Sequence, residues 1–422
     1  MRADVVIVGA GTAGAATALQ CARRGLRVVV LERRRLAEAG AKWHNGVPGW
    51  AFDEAGIDRP VAPELAGEGQ AFHMVAGWGP ERLRVTDHDV LEVDMGALVA
   101  RLQRDARAAG AVFVDEARVL RCEGGHLETS VGPFEARWFV DASGFGGAGL
   151  MATERVAPED VCAASQESFA IADVPAAEAW FRERGVTPGE TLCYTGVAGG
   201  FSTVNARMHG DTLGVLTGSI PAHGHPAGRA LVAAFVRELP WVGPRRSGGA
   251  SPIPLRRPHA VLATERVALI GDAACQVFAA HGSGISAQLV ASRLLAEALA
   301  DGAGPLGYQW RWQRQWGGLF AAYDLFRRYT ETLTPADVAR LMRSGILHAD
   351  MLRDGMQQRW PRVDLRRVLA MARSGARDPA ALSRLLPVVA RMGVARALYA
   401  AYPRRVGHIP LWARRVERAL GR

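Results

Sequence analysis

An apolar run, Val5-Val6-Ile7-Val8, breaks into the glycine cluster Gly9-Ala10-Gly11-Thr12-Ala13-Gly14, and apolar positions then resume at helical spacing over 15–24. Consecutive β-branched residues suit a strand covered on both faces, and the change of period across a glycine turn predicts strand, turn and helix. The run Arg27-Val28-Val29-Val30-Leu31 predicts a second strand ending at Glu32, which completes one right-handed βαβ unit. Residues 33–91 are rich in Gly, Pro and Trp without clean periodicity, so loops and short strands reaching away from this unit are expected. A helix is predicted over 93–109, with Leu98, Leu102 and Ala106 on one face, followed by strands over 111–114 and 117–120.

Two more apolar runs meet glycine turns. Trp138-Phe139-Val140 leads into Asp141-Ala142-Ser143-Gly144, and Val267-Ala268-Leu269-Ile270 leads into Gly271-Asp272-Ala273-Ala274. Between them, residues 160–255 alternate short apolar runs (167–172, 200–206, 212–217) with Gly, Pro, His and Asp breaks, which predicts an antiparallel sheet. Beyond Ile285 the pattern turns helical, with blocks over 286–299, 309–329, 335–342, 363–371 and 379–400. No internal repeat or low-complexity tract interrupts this order.

Composition changes the picture in three ways. A chain of 422 residues with 49% hydrophobic content can bury a large core in two or three subdomains. The five cysteines, Cys21, Cys122, Cys162, Cys193 and Cys275, are scattered singly, which excludes a close-paired zinc or iron–sulfur site and predicts reduced thiols. Charge is uneven: 301–422 holds 22 Arg against 9 Asp and Glu, a net of +13, so 1–300 carries −4 of the total +9. Clustered arginine favours an anionic membrane surface or an anionic substrate; with no helix-turn-helix or RNA-binding module, nucleic acid is not an expected partner. Met1 leads almost directly into a strand and no apolar stretch is long enough to span a bilayer, so a cytoplasmic protein, at most peripheral to a membrane, is expected.

The glycine turns carry the chemistry. Gly9 allows the tight turn, Gly11 lets a pyrophosphate approach the backbone, Gly14 lets helix and strand pack closely, and the helix N-terminus offers unpaired amides. Glu32, 18 residues after Gly14, is placed to accept both hydroxyls of an adenosine ribose. At the other turn, Asp272 can hold a polyol hydroxyl, and the helix after Ala280-His281-Gly282-Ser283-Gly284-Ile285-Ser286 can face a pyrophosphate or the pyrimidine edge of a flavin. NAD has no ribityl chain to hold. The pair of signatures therefore points to FAD, although Asp272 could equally serve as a helix N-cap.

On these motifs the chain resembles the FAD-dependent oxidoreductases of the para-hydroxybenzoate hydroxylase fold, and is most like their geranylgeranyl reductase branch. The resemblance runs nearly the whole length. It takes in the Asp141-Ala142-Ser143-Gly144 turn, Ala164-Ser165-Gln166-Glu167, Gly199-Gly200-Phe201, Ser251-Pro252-Ile253-Pro254 and the helical tail after Tyr308. It implies an α/β fold with a Rossmann-like FAD-binding domain of the glutathione-reductase type, an antiparallel β-sheet substrate domain and a C-terminal helical region. The expected division is 1–50, 92–150 and 256–305 for FAD, 51–91 and 151–255 for substrate, and 306–422 for the helical region. It also implies cofactor contacts from Gly9, Gly11, Thr12, Ala13, Gly14, Glu32, Arg33, Lys42, Arg101, Val119, Asp141, Gly144, Gly271, Asp272, Gly282, Gly284 and Ile285.

The departures matter too. Prenyl reductases usually have Cys-Gly in the loop after the second strand, and the related quinone-reducing dehydrogenases often have Lys-Asn. This chain has Gly40-Ala41-Lys42-Trp43-His44-Asn45-Gly46. Ala280 stands where the family usually has proline, and the Trp-x-Trp-x-Ile-Pro motif of flavin halogenases is missing. Lys42, the lone lysine among 51 basic residues, is a candidate to stabilise reduced-flavin charge or donate a proton. His44 and His281 are the other catalytic candidates, because a histidine beside a flavin can move protons near neutral pH. Cys275 is expected to be a buried packing residue, and Trp310, Trp312 and Trp316 are expected to pack a helix on the FAD domain.

The expected activity is reduction of C=C bonds in an apolar, prenyl-like or secondary-metabolite substrate by hydride transfer from reduced flavin N5. The alternatives are a flavin monooxygenase acting on an aromatic or polyketide-like substrate, a quinone-linked dehydrogenase and a non-redox flavin-dependent cyclase. With no second Rossmann motif, electrons would come from transiently bound NADPH or NADH, or from an electron-donor protein.

Overall fold

The computed structural model describes residues 2–123, 125–362 and 365–421. The first apolar run forms the strand Arg2–Val8, the glycine cluster opens the helix Thr12–Ala22, and Val28–Leu31 pairs parallel to the first strand. Every residue of that helix is buried. Its many Ala and Gly positions let neighbouring helices approach on all sides. Val112–Val114 adds beyond Val28–Leu31, whereas Gly132–Asp141 and then Val267–Leu269 add on the opposite side of Arg2–Val8, all parallel. The order of strands thus reverses at Arg2–Val8, and in such sheets ligands bind in the crevice at the carboxyl ends beside the reversal. Val119–Glu123 and His126–Thr129 extend the sheet antiparallel from Gly132–Asp141.

A second sheet of seven strands is antiparallel but for one pair. Val161–Ile171 lies between Thr212–Ser219 and Val242–Pro254, and the order continues through Ser202–His209 and Thr191–Thr195. Thr191–Thr195 then pairs in parallel with Phe72–Ala76, which carries Arg82–Val85 at the edge. Two helices inside this region were not expected, Val174–Glu183 and Gly228–Arg237. Their Phe181, Leu231 and Phe235 cover the sheet's Val204, Leu213 and Val215. A small third sheet, His44–Pro48 with Val90–Asp94 and Leu65–Glu68, accounts for part of 33–91, as does the unexpected helix Trp50–Ala55. The helix expected over 93–109 begins later, at Met95, because Val90–Asp94 is drawn into that sheet and the Asp94 carboxylate caps the helix by accepting from the Ala97 amide at 2.9 Å.

The chain after Ile285 is helical, beginning with Ile285–Ala300. The block expected over 309–329 is not one helix: Gly304–Trp312 and Gly318–Glu331 are joined by a π turn, Gln313–Gly317. Two observations account for the widened turn. Gln313 reaches out to donate to the His259 carbonyl at 2.8 Å, and Gly317 packs against the Tyr399 ring. Trp312 is fully buried in the main core, Trp316 stacks on Trp50 at 5.2 Å, and Trp310 lies under Arg314 and Arg404, so these tryptophans pack helices together. Pro335–Ser344, Leu365–Arg377 and Pro379–Ala400 follow, and the start of the block expected at Val363 lies outside the described residues. Ala349–Met356 and Ile409–Leu420 add helices the pattern did not announce. Among the described residues no helix is long and apolar enough to cross a membrane.

Candidate active site

The first glycine loop is built by contacts too close for side chains. Gly9 has φ +101°, and a methyl there would drive into the Ala142 carbonyl, while one on Gly14 would drive into the carbonyl of Gly9. The Ala142 amide in turn donates to Val8 at 2.8 Å, so the Asp141 turn is fastened to the loop. Gly11 is the N-cap of Thr12–Ala22 and has no side chain to offer; among the described residues the amides of Gly11, Thr12 and Ala13 find no protein acceptor. Glu32 is buried, with one carboxylate oxygen accepting the Ala10 amide at 3.0 Å and the other the Arg34 amide at 3.1 Å. Each oxygen keeps a lone pair, and the Val119 segment runs alongside, since Ala117 donates to the Glu32 carbonyl. Arg33 is exposed.

The second turn reaches the same place from the other end of the chain. Gly271 has φ +71°, and a methyl added to it would lie 3.0 Å from the Ala13 side chain. This turn does not run straight into the long helix. It makes one 3-10 turn, Gly271–Ala274, passes through Cys275 at φ 54°, and the helix starts at Ile285 with Gly284 as its N-cap. A buried polar network explains the detour. The Gly271 amide donates to Gln276 at 2.8 Å, Gln276 donates to the Tyr308 hydroxyl at 2.7 Å, and Tyr308 donates to the Leu269 carbonyl at 3.1 Å. Asp272 accepts from Gln288 at 3.2 Å, and burial pushes its carboxyl up to about 6. Gly284 and Ile285 place the amides of the helix's first turn beside that carboxyl, and Gly282 shapes the approach at φ +76°.

Asp141 and Arg101 are already committed. The Asp141 carboxylate organises its own loop, accepting from the Ser143 hydroxyl at 2.6 Å and the Ala148 amide at 2.8 Å, which leaves Gly144 open at φ +88°. Arg101, expected at the cofactor, forms a bidentate pair with Glu64 at 2.7 and 2.8 Å and also donates to the Asp58 carbonyl. The residue of its helix that does touch the glycine loop is Gln103, which donates to the Ala10 carbonyl at 2.9 Å. Spacing cannot announce a glutamine in this role, nor Gln276 or Gln288.

The loop that sets this chain apart closes over the cradle. A methyl on Gly40 would lie 3.5 Å from the Gly11 Cα, and two residues further on Lys42 donates to the Ala39 carbonyl at 3.0 Å. Desolvation, then the nearby Arg34 charge, lowers the Lys42 pKa. Trp43 reaches the antiparallel sheet at Gly249, and His44 stands 3.8 Å from Asp94. His281 is elsewhere, an exposed residue whose ring lies 4.9 Å from that of Phe278. Partial desolvation lowers the His44 pKa, against the pull of the Asp94 carboxylate. Lys42 and His44 therefore share Asp94 as a neighbour, and His281 is not grouped with them.

A cavity of about 980 Å³ lies where the strands Val161–Ile171 and Val242–Pro254 approach the Asp141 and Asp272 turns. Ala163, Ala250 and Pro252 line it from the sheet, and Phe145, Met151 and Val156 from the connecting loop. Its polar edge includes Asp272 and a neutral pair in which the Cys275 sulfur lies 3.4 Å from His259 Nε2. Burial pushes the Cys275 thiol up to about 12 and His259 down to about 4, and His259 Nδ1 has no protein partner. Cys275 is thus a buried packing residue that also forms part of the cavity wall.

The donor set fits FAD: free helix N-terminal amides and a side-chain-free cradle for a pyrophosphate, a carboxylate for ribose, and a desolvated carboxyl for a polyol. Residues 4–51 match the family of FAD dependent oxidoreductases. With the parallel sheet and its two glycine turns, this defines the protein as an FAD-dependent oxidoreductase. The chain is similar over its whole length, at 22% identity and covering 98% of the relative, to digeranylgeranylglycerophospholipid reductase of Sulfolobus acidocaldarius. It is 28% identical to digeranylgeranylglycerophospholipid reductase 2 of Methanopyrus kandleri, over 76% of this chain and 84% of that one. Among solved structures, a geranylgeranyl bacteriochlorophyll reductase-like protein of Thermoplasma acidophilum shares the fold, with TM-score 0.71 at 16% identity over 92% of this chain and 99% of that one.

Proposed function

We propose that the protein reduces C=C bonds of an apolar, prenyl-like chain held in the cavity between the sheets. The supporting observation is the cavity itself, lined for the most part by Ala, Gly, Pro, Val, Leu, Met and Phe, with polar groups at Asp141, at 153–155, at Ser251 and His259 and at the Asp272 turn. An apolar chain loses its water favourably along the apolar stretches of this wall, and the polar stretches suit the end of the substrate that carries a polar head. We assign 1–50, 92–150 and 256–305 to an FAD-binding domain of the glutathione-reductase type, 51–91 and 151–255 to a substrate domain, and 306–422 to a helical region.

FAD bound here and reduced supplies a hydride from N5, and a proton is needed at the neighbouring carbon. The residues of the chain bind and orient. The amides of Gly11, Thr12 and Ala13 take the pyrophosphate, Glu32 the ribose and Asp272 the ribityl hydroxyls. Lys42, beside the cradle, offers positive charge for phosphate or for reduced flavin. His44 and His281 are the histidines assigned to proton transfer, His44 with Asp94 at 3.8 Å beside it. Electrons reach the flavin from NADPH, NADH or a donor protein.

The test is anaerobic reduction of the purified yellow protein by NADPH, NADH or reduced ferredoxin, then exposure to a geranylgeranylated lipid or to oxygen. The lipid should reoxidise the flavin and gain two hydrogens per double bond, and Lys42→Met, folded and flavin-loaded, should slow that step about tenfold. Reoxidation by oxygen alone, with an oxygen atom inserted into product, would establish a monooxygenase instead. A product of unchanged mass would establish a cyclase.

A further inference from the structure

The helix Pro379–Ala400 is apolar on both sides. Its inner stripe, Ala381, Leu385, Met392, Ala395 and Tyr399, is buried against the rest of the helical region. The outer arc is not covered: Leu386 is 53% exposed, Val389 47% and Val394 43%, with Pro387, Ala390, Gly393 and Ala397 between them. At about 100° per residue these positions form one continuous band. Arg384 and Arg391 border it on one side and Arg396 on the other. The preceding helix Leu365–Arg377 exposes Leu369 beside Arg366, Arg373 and Arg377, and the segment after Ala400 exposes Val406 and Leu411 beside Arg404 and Arg405.

Charge decides what can cover this band. Residues 365–400 contain seven Arg and one acid, Asp378, which is occupied in an ion pair with Arg340 and in capping the Ala381 amide at 3.0 Å. A second copy of the chain would bring arginine against arginine. Within the band Ser383, bonded to its own helix at Ala380, is the one polar side chain, so the charge lies wholly at the margins. An apolar band about 18 Å long with arginines at both margins matches a leaflet surface, where acyl chains take the band and phosphates take the margins.

We propose that Pro379–Ala400 docks the enzyme flat on an anionic lipid bilayer, with Leu386, Val389 and Val394 immersed and Arg384, Arg391 and Arg396 on the headgroups. The inference does not depend on the reaction proposed above and is read without turnover. Full-length protein is sedimented with phosphatidylglycerol–phosphatidylcholine vesicles and with phosphatidylcholine vesicles, at low and high salt. The anionic vesicles should bind it about tenfold better, and high salt should weaken that binding. The variant L386S/V389S/V394S, exposed at all three positions and checked for an unchanged melting curve and flavin content, should lose about tenfold of the partition. R384Q/R396Q should lose the preference for anionic lipid while keeping residual binding. No binding to the anionic vesicles, binding unchanged in the triple variant, or a dimer that the triple variant dissolves would overturn the proposal.

Discussion

The two strand-end glycine turns converge on one crevice but are held in different ways. The turn at Gly9 is fixed by backbone and sterics, with carbonyls of Ala142 and Gly9 standing where side chains would be. The turn at Gly271 is fixed by side chains that follow it, Gln276 five residues on and Gln288 and Tyr308 from the helices beyond. A turn made by sterics leaves a spaced glycine pattern. A turn made by a buried hydrogen-bond network leaves glutamines and a tyrosine with no recognisable spacing.

Breaking each turn should therefore look different. Gly14→Ala puts a methyl into the Gly9 carbonyl; it should cost on the order of 3 kcal/mol and abolish retained flavin, measured by melting and by flavin absorbance after desalting. Gln276→Leu strands the buried Gly271 amide and one partner of Tyr308; about 2 kcal/mol should be lost, with flavin retained but more weakly. If both variants weakened flavin binding equally without loss of stability, the distinction between the turns would fail.

The third variant sharpens the comparison through pH. Burial raises the Asp272 carboxyl from 3.8 to about 6, so the folded chain keeps a proton that the unfolded chain has released. Stability of the flavin-free protein should fall as pH rises through that window and level off above it, by roughly 2 kcal/mol with some solvent reaching the group. Asp272→Asn should flatten this slope. A melting temperature of the parent that holds constant across the same pH range would contradict the burial of that carboxyl.

Much of the nucleotide fold was legible. Val5 to Val8, the spacing of Gly9, Gly11 and Gly14, and Glu32 are local in sequence, and each expected element is present. The sheet over 160–255 was legible as alternation, but its two covering helices were not, because short amphipathic runs between strands resemble edge strands. Arg101, a cofactor contact implied by the resemblance alone, is paired with Glu64, which lies 37 positions away and which no local pattern joins to it. The cavity wall was invisible for the opposite reason: Ala163, Ala250 and Pro252 matter by what they leave empty.

The parallel pairing of Phe72–Ala76 with Thr191–Thr195 constrains how the chain can assemble. During synthesis, Phe72–Ala76 and Arg82–Val85 emerge more than a hundred residues before their neighbour strand, and Gly132–Asp141 likewise waits for Val267–Leu269. Both sheets close late over large loops, a topology that slows folding and leaves open edges in the meantime. A nascent chain stalled near residue 150 would hold its first βαβ unit beside strands whose partners have not yet been made, a state with open edges.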